Sequence, residues 1–154
     1  MKGSKILLVD DEVVFTDNMS RLLKSRGYLV KAVNEGDSAV DILESENFDV
    51  VVLDLKMPGM DGITTLKEIN KLDIFTEVLI LTAHGSVDTA MEAMKLGAYD
   101  YLVKPCEIDE LIEKIEGAWA KKDRIEKHDM DEKIQKLVES PSSVYNLFPK
   151  GKKK

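Results

Sequence analysis

The sequence predicts an α/β fold in which a doubly wound parallel sheet of five strands carries five helices on its two faces. Five short apolar runs alternate with segments whose apolar residues recur at helical spacing. The third run, residues 48–53, is apolar or β-branched at nearly every position, as in a strand buried on both faces. Right-handed crossovers between parallel strands then leave few topologies.

The first predicted strand is Lys5–Val9, and it ends on acidic residues. Helical spacing of apolar residues follows over 13–26, and Gly27 stands where a helix C-terminal stop is expected. The alternating segment 28–33 predicts the second strand.

Residues 37–46 have helical spacing and predict the second helix. The third strand, 48–53, leads directly to Asp54, and Pro58-Gly59 marks the turn that follows it. Residues 63–72 then predict the third helix.

The run 78–81 predicts the fourth strand, and the segment 87–94 predicts a fourth helix that Gly97 ends. Residues 99–103 predict the fifth strand. The last helix, 108–119, carries one apolar stripe. The stripe consists of Ile108, Leu111, Ile112, Ile115 and Trp119.

The apolar stripe stops after Trp119, so we divide the chain into a domain over 1–120 and a helical extension with a flexible basic tail over 121–154. Residues 121–130 have almost no apolar face, whereas 130–138 could form a short second helix ended by Ser140-Pro141. The segment 144–149 is either part of a disordered end, the interpretation we favour, or a docking motif for a partner.

Composition and charge narrow the class of protein. The formal net charge of −7 argues against direct nucleic-acid binding by the whole chain, although residues 1–119 carry −11 and residues 120–154 carry +4. The single cysteine, Cys106, excludes an internal disulfide and fits a reducing compartment. Because no apolar stretch reaches the ~20 residues of a membrane helix, we expect a cytoplasmic protein without membrane contact.

Polar side chains end four of the five predicted strands. They are Asp10 and Asp11, Asp54, Thr82, and Lys104. Because the carboxyl ends of parallel strands meet at one edge of the sheet, these groups are expected to lie together. Crowded carboxylates need a cation, and Mg²⁺ prefers carboxylates together with phosphate oxygens. The pattern therefore predicts phosphoryl transfer, with Asp54 as the nucleophile and Lys104 neutralising charge.

These motifs resemble those of the receiver domain of two-component response regulators, and the resemblance covers about residues 4–120. The matching stretches are Val9-Asp10-Asp11-Glu12, Asp54 with Met57-Pro58-Gly59-Met60-Asp61-Gly62, Thr82-Ala83, and Tyr101-Leu102-Val103-Lys104-Pro105. The resemblance implies a flavodoxin-like fold with strand order 2-1-3-4-5.

The resemblance also implies a magnesium site. Asp11, Asp54 and the backbone carbonyl of Lys56 would bind Mg²⁺ directly, and Asp10 would act mostly through water. Lys56 and His84, each two residues after a site residue, would tune the lifetime of the phosphorylated state.

The remaining implied roles concern the phosphoryl group. Asp54 would accept it from a sensor histidine kinase or a histidine phosphotransfer protein. Thr82, Ala83 and Lys104 would hold its oxygens, Tyr101 would be the switch aromatic, and Lys104-Pro105 would be a cis peptide that aims the lysine. The chain would catalyse its own Mg²⁺-dependent aspartyl phosphorylation and dephosphorylation without being an enzyme that acts on a metabolite.

Short stretches such as Gly85-Ser86-Val87 are most similar to the corresponding stretches of NtrC-type receivers. Receivers of that type usually precede an ATPase and a DNA-binding domain. Nothing after Trp119 is long enough for an ATPase, so the chain is either a stand-alone receiver or a fragment of a longer regulator. The expected output is a changed protein contact or self-dimer. It would use the Tyr101 face, defined as the fourth helix, fifth strand and fifth helix, with the stripe of 108–119 buried beneath it.

Two other functions remain open. A phosphatase of the haloacid dehalogenase type also uses an aspartyl nucleophile, but it needs the nucleophile on the first strand with a second Asp two residues later, and Asp10-Asp11 are adjacent. A passive carrier that hands its phosphoryl group to another histidine would need no conformational output.

Overall fold

A computed structural model of the chain describes residues 3–83 and 87–139. Its core is a parallel five-stranded sheet in the order β2-β1-β3-β4-β5. The strands are β1 Lys5–Val9, β2 Leu29–Val33, β3 Val50–Leu53, β4 Glu77–Ala83 and β5 Asp100–Lys104. The helices are α1 Val13–Ser25, α2 Gly36–Ser45, α3 Gly62–Asn70, α4 Val87–Lys95 and α5 Ile108–Glu139. The fold class, the strand order and the five helices are confirmed.

Side chains alternate between the two faces of the sheet, and each face has its own helices. Leu7, Val51 and Ile80 pack against α2, α3 and α4 on one face. Leu8 and Val52 pack against α1 and α5 on the other face. Every residue of β3 is buried, because this strand is central and both of its faces are covered by helices.

Glycines end two helices where the sequence predicts the stops. Gly27 and Gly97 have φ values of 98° and 100°, a region that residues with a Cβ seldom adopt. The amide of Gly27 donates to the carbonyl of Lys24, and the amide of Gly97 donates to the carbonyl of Met94, each at 3.0 Å. These contacts turn the chain from α1 towards β2 and from α4 towards β5.

The last helix corrects one expectation. The loss of the apolar stripe after Trp119 predicts a break and a separate helix over 130–138, whereas α5 is continuous from Ile108 to Glu139. The polar section contains neither glycine nor proline, and it is rich in lysine and glutamate, which favour helices. Intrahelical ion pairs four residues apart add stability. The pairs are Asp123–Lys127, His128–Glu132 and Asp129–Lys133.

Contacts within the chain separate two units, Met1–Lys122 and Asp123–Lys154. The first unit holds the whole sheet. The described part of the second unit is the section of α5 from Asp123 to Glu139. The predicted division after residue 120 stays a prediction about domains, and the predicted stop at Ser140-Pro141 and the segment 144–149 lie outside the described residues. Within 3–83 and 87–139, no helix combines the length and the apolar composition that crossing a bilayer requires.

Candidate functional site

Three carboxylates meet at the carboxyl edge of the sheet. Asp10 follows β1, Asp54 follows β3, and the amide of Asp54 donates to the carbonyl of Val9 at 2.9 Å, which holds the two strand ends side by side. Carboxylate oxygens of Asp10, Asp11 and Asp54 all lie within 4.8 Å of one another. Asp10 and Asp54 are buried, whereas Asp11 is exposed. The structure thus brings together the three acids that the sequence predicts.

Lys104, the last residue of β5, reaches this cluster. Its Nζ lies 2.5 Å from Oδ2 of Asp10, 3.0 Å from Oε1 of Glu12 and 3.9 Å from Oδ2 of Asp54. The same ammonium lies 4.3 Å from the ring centroid of Phe15, where a cation–π contact is favourable. Because only 14% of the lysine side chain is exposed, its charge is weakly screened by water.

The cluster changes the acidity of Asp54. Burial raises its pKa to about 6 and the neighbouring charge of Asp10 adds to that rise, while Lys104 and the Lys56 amide act in the opposite direction. Burial alone would lower the pKa of Lys104, but its hydrogen bonds to Asp10 and Glu12 outweigh this and raise it. The protein groups alone therefore leave Asp54 short of positive charge, even with the lysine ionised.

Asp10 is held in position by neighbouring groups. The amide of Glu12 donates to Oδ1 of Asp10 at 2.9 Å, and the side-chain amide of Asn34 donates to the backbone carbonyl of Asp10 at 2.8 Å. Asn34 also donates to Oγ1 of Thr16 at 3.3 Å. Glu12, Phe15 and Asn34 are contributors that the sequence analysis did not assign. The sequence does indicate Asn34, because it is the polar residue directly after β2, the one strand whose end had no assigned residue.

Thr82 lies near the carboxyl end of β4 and is 1% exposed. Its Oγ1 is buried and has no hydrogen-bond partner within residues 3–83 and 87–139. Buried polar atoms without a partner are uncommon in folded proteins, because desolvation without a hydrogen bond is costly. A phosphoryl oxygen bound at this edge would give the hydroxyl an acceptor, so the residue present fits the predicted role.

The donor set fits a hard divalent cation. Three carboxylates within 4.8 Å supply oxygen ligands and an excess of negative charge, which is the chemistry that Mg²⁺ requires. The backbone amide of Lys56 lies 3.4 Å from Oδ1 of Asp54, so this residue is next to the cluster. The metal role of its carbonyl, and its role in tuning the phosphate lifetime, stay predictions.

The other predicted residues are located as follows. Ala83 is the register partner of Lys104 in the β4–β5 ladder, and the Lys104-Pro105 peptide is cis. Tyr101 is the partner of Ile80 and packs on the face of α2, α3 and α4. His84 lies outside the described residues.

One part of the predicted Tyr101 face needs correction. The stripe of α5 packs on the opposite face of the sheet from Tyr101, with Leu111 and Ile115 against Leu102. Tyr101 and Leu102 are adjacent in β5, so their side chains point to opposite faces. The stripe therefore does not lie beneath Tyr101.

Comparisons with known proteins agree with this geometry. The family model for the response regulator receiver domain matches residues 6–116. The transcriptional regulatory protein ZraR of Escherichia coli K12 is 45% identical over 115 residues, which is 75% of this chain and 26% of ZraR. The chain thus spans about a quarter of that relative's length. Sporulation initiation phosphotransferase F of Bacillus subtilis is 39% identical over 111 residues, which is 72% of this chain and 90% of that protein.

A solved structure of NtrX from Brucella abortus superposes with a TM-score of 0.78 at 31% identity, covering 82% of this chain and 29% of NtrX. The likeness to ZraR and NtrX confirms the expected similarity to NtrC-type receivers. Receiver domains interact with histidine kinases or phosphotransferases in phosphorylation-based signalling. Because the family model covers most of the sheet and the acidic edge, the chain belongs to the response regulator receiver domain family.

Proposed function

We propose that the chain accepts a phosphoryl group on Asp54 from a phosphohistidine of a sensor histidine kinase or a histidine phosphotransfer protein. The observation that carries this proposal is the position of Asp54. It is a buried carboxylate at the end of β3, 3.9 Å from Lys104 and within 4.8 Å of two further acids. A carboxylate with a nearby cation and limited access to water is suited to nucleophilic attack on phosphorus.

In the proposed step, an oxygen of Asp54 forms a bond to phosphorus while the phosphorus–nitrogen bond of the donor breaks. The electron pair of the broken bond stays on the imidazole nitrogen. The ammonium of Lys104, already at the edge of the cluster, would stabilise the negative charge on the transferring group. The unpartnered hydroxyl of Thr82 would donate to a phosphoryl oxygen.

Asp10, Asp11 and Asp54 would hold Mg²⁺, together with the backbone carbonyl of Lys56. When bound, the ion would supply charge neutralisation for the phosphoryl oxygens and for the crowded carboxylates. Asp10 would act on the ion mostly through water, because its Oδ2 already pairs with Lys104.

Phosphoryl uptake from a small donor tests the proposal. Incubation of the chain with acetyl phosphate and Mg²⁺ should add one phosphoryl group, seen by intact-mass measurement. Asp54→Asn should abolish the adduct, because an amide oxygen is a poor nucleophile. Asp41→Asn is the matched control, since Asp41 is an exposed carboxylate on α2 that is not part of the acidic cluster.

Equal uptake by the Asp54→Asn and Asp41→Asn variants would refute the assignment of Asp54. An adduct that forms as fast with EDTA as with Mg²⁺ would refute the metal role instead. The two outcomes therefore separate the acceptor residue from the metal site.

We propose further that phosphorylation changes a protein contact through the Tyr101 face, either with a downstream effector or with a second copy of the chain. The positions of Tyr101 and Thr82 support this proposal. They lie on the neighbouring strands β5 and β4, and the register places their side chains on the same face of the sheet. Movement of Thr82 towards the phosphoryl group would open space next to a half-buried aromatic ring.

A second candidate is a passive carrier within a phosphorelay. The observation that favours it is the match to Sporulation initiation phosphotransferase F, of which the chain covers 90%. In that role, the phosphorus–oxygen bond at Asp54 would break as a histidine nitrogen of the next protein attacks, and the carboxylate would be restored. Such a carrier needs the same site but no response at Tyr101.

A further inference from the structure

A second concave site lies at the amino ends of the strands, whereas Asp54 lies at their carboxyl ends. It is a cavity of about 290 Å³ next to the beginnings of β1 and β2. Lys5 begins β1 and lines the cavity, whereas Asp10 follows the other end of the same strand. At ~3.3 Å per residue, the length of β1 alone separates the two sites by roughly 16 Å. The cavity is thus distinct from the phosphoryl site.

The wall of the cavity is mainly apolar. Its apolar side chains are Tyr28, Leu29, Val30 and Phe48. Tyr28 and Phe48 are 5% and 3% exposed, so packing holds both rings in place. Leu29, by contrast, is 55% exposed on the edge strand β2 and forms the accessible side of the cavity. Since a cavity of about 150 Å³ holds one benzene ring, this one has room for a bicyclic aromatic body.

Three lysines line the same cavity, although residues 1–119 carry a formal charge of −11. They are Lys5, Lys24 and Lys31. Lys5 and Lys31 share one carboxylate, that of Glu46, at 2.6 and 2.9 Å. An ammonium has three donors, so each of these two lysines keeps further donors for a ligand. Lys24 has no ion pair within the described part of the chain.

We propose that this cavity binds a small organic anion that carries one carboxylate on a flat apolar body of about two fused rings. The apolar body would lie against Leu29, where it removes exposed leucine surface from water, and next to Lys5, whose ammonium lies 4.9 Å from the ring centroid of Phe48. The carboxylate would lie at the rim, where Lys24 and Lys31 provide an excess of positive charge over Glu46. This proposal is independent of phosphoryl transfer, because no residue of the acidic cluster lines the cavity.

A titration with 2-naphthoate, followed by backbone amide shifts in Mg²⁺-free buffer, tests the proposal. Amides of Leu29, Val30, Lys31 and Phe48 should shift together and saturate, while those of Asp10 and Asp54 stay in place. Three probes separate the contribution of the carboxylate from that of the aromatic rings. Acetate has the carboxylate without the rings, 2-naphthalenemethanol has the rings with a neutral hydroxyl group, and 2-naphthylmethylamine has the rings with a cationic amine. Each of the three should bind at least tenfold more weakly than 2-naphthoate.

Two variants test the residues. Lys24→Glu combined with Lys31→Glu should weaken 2-naphthoate binding at least tenfold, whereas Lys67→Glu with Lys95→Glu, an equal change of charge at exposed lysines on α3 and α4, should leave it unchanged. Leu29→Thr keeps a residue that favours strands and should weaken binding about threefold or more through loss of apolar contact.

Dispersed spectra verify that each variant is folded. Equal affinity for 2-naphthoate and 2-naphthalenemethanol would overturn the proposal, since the lysines would then contribute nothing. Equal losses in the two double-lysine variants would overturn it as well, because the effect would then be one of net charge and not of this cavity.

Discussion

The ammonium of Lys104 lies 2.5 Å from Oδ2 of Asp10, and the two side chains are only 14% and 5% exposed. This ion pair joins the end of β5 to the end of β1, across the two strands that separate them in the sheet. In the metal-free chain the lysine is therefore the main positive charge of the acidic edge. A phosphoryl group on Asp54 would have to draw the same ammonium away from Asp10, while Mg²⁺ would take over the neutralisation of Asp10.

Removal of this lysine should destabilise the metal-free protein. Lys104→Met leaves Asp10 and Asp54 buried without their cation, and loss of one partner of a buried ion pair costs on the order of 3 kcal/mol. The free energy of unfolding, measured by urea denaturation in EDTA, should fall by about that amount. Saturating Mg²⁺ should recover part of the loss, because the ion neutralises the same carboxylates.

Lys114→Met is the matched control for that experiment. Lys114 pairs with Asp100 at 2.5 Å, but the two side chains are 36% and 33% exposed, so water screens the pair. Its loss should cost at most about 1 kcal/mol and should not depend on Mg²⁺. Equal losses in the two variants would contradict the electrostatic role given to Lys104.

Asp54 should make the stability of the metal-free protein depend on pH. The folded pKa of about 6 lies above the ordinary pKa of an aspartate, so the folded state binds the proton more tightly than the unfolded state. This contribution to stability is fully present below the unfolded pKa and is lost as the pH rises through the folded pKa. In EDTA, the wild-type chain should therefore lose stability relative to Asp54→Asn between about pH 4 and pH 6.

Thermal melts of the wild-type chain and the Asp54→Asn variant across that pH range measure the difference. At pH 7 without metal, the variant should melt several degrees higher, because it lacks the buried charge. Adding Mg²⁺ should raise the wild-type melting temperature and leave that of the variant nearly unchanged. A pH-independent difference between the two chains would contradict the assigned pKa.

Gly62 should be intolerant of any side chain. A Cβ at this position would lie 2.4 Å from Cα of Leu55 and 2.5 Å from the carbonyl oxygen of Asp54, and both of these are backbone atoms that cannot rotate away. Gly62→Ala should therefore displace the segment after β3, at a cost of about 2 kcal/mol of folding free energy. It should also weaken Mg²⁺ binding, because Asp54 moves with that segment.

Gly59→Ala provides the comparison within the same loop. Gly59 has a φ of 74°, but nothing lies within 4 Å of the Cβ that would be added, so the cost is limited to backbone strain of about 1 kcal/mol. Urea denaturation and Mg²⁺ calorimetry of the two variants separate the two effects. Unchanged Mg²⁺ affinity in Gly62→Ala would contradict the expected displacement of Asp54.

Much of the fold follows from local pattern. The strands and the first four helices have apolar periodicities that agree with their burial, and Gly27 and Gly97 end helices as expected. The continuation of α5 to Glu139 could not be predicted from an apolar face, because that section has none. Its stability depends on residue propensity and on ion pairs such as Asp129–Lys133, which periodicity of apolar residues does not reveal.

The acidic edge was predictable because strand ends collect at one edge of a parallel sheet. Asp10, Asp54 and Lys104 are close for that reason alone. The contact of Phe15 was not predictable, because it depends on how the start of α1 lies over that edge. The face on which Tyr101 packs required the register of β5 against β4.

The last prediction distinguishes a conformational switch from a passive carrier. Hydrogen exchange would be compared with and without beryllofluoride, a mimic of the phosphoryl group, in Mg²⁺. A switch should alter amide protection in β4 and β5, from Thr82 to Tyr101, because Thr82 gains a partner for its buried hydroxyl and Tyr101 shares its face of the sheet. Leu8 and Val52, which face α1 and α5, should stay unchanged and serve as internal controls.

Tyr101→Leu and Tyr99→Leu form the matched pair for that experiment. Tyr99 packs on the α1 and α5 face, so its replacement removes an aromatic ring from the opposite face of the sheet. Tyr101→Leu should reduce the response of β5 while leaving beryllofluoride binding intact, whereas Tyr99→Leu should preserve the response. If the mimic binds to the wild-type chain and protection changes only around Asp10 and Asp54, the proposal of an output through Tyr101 is wrong. The chain would then act as a carrier, since its site would fill without changing the surface that a partner reads.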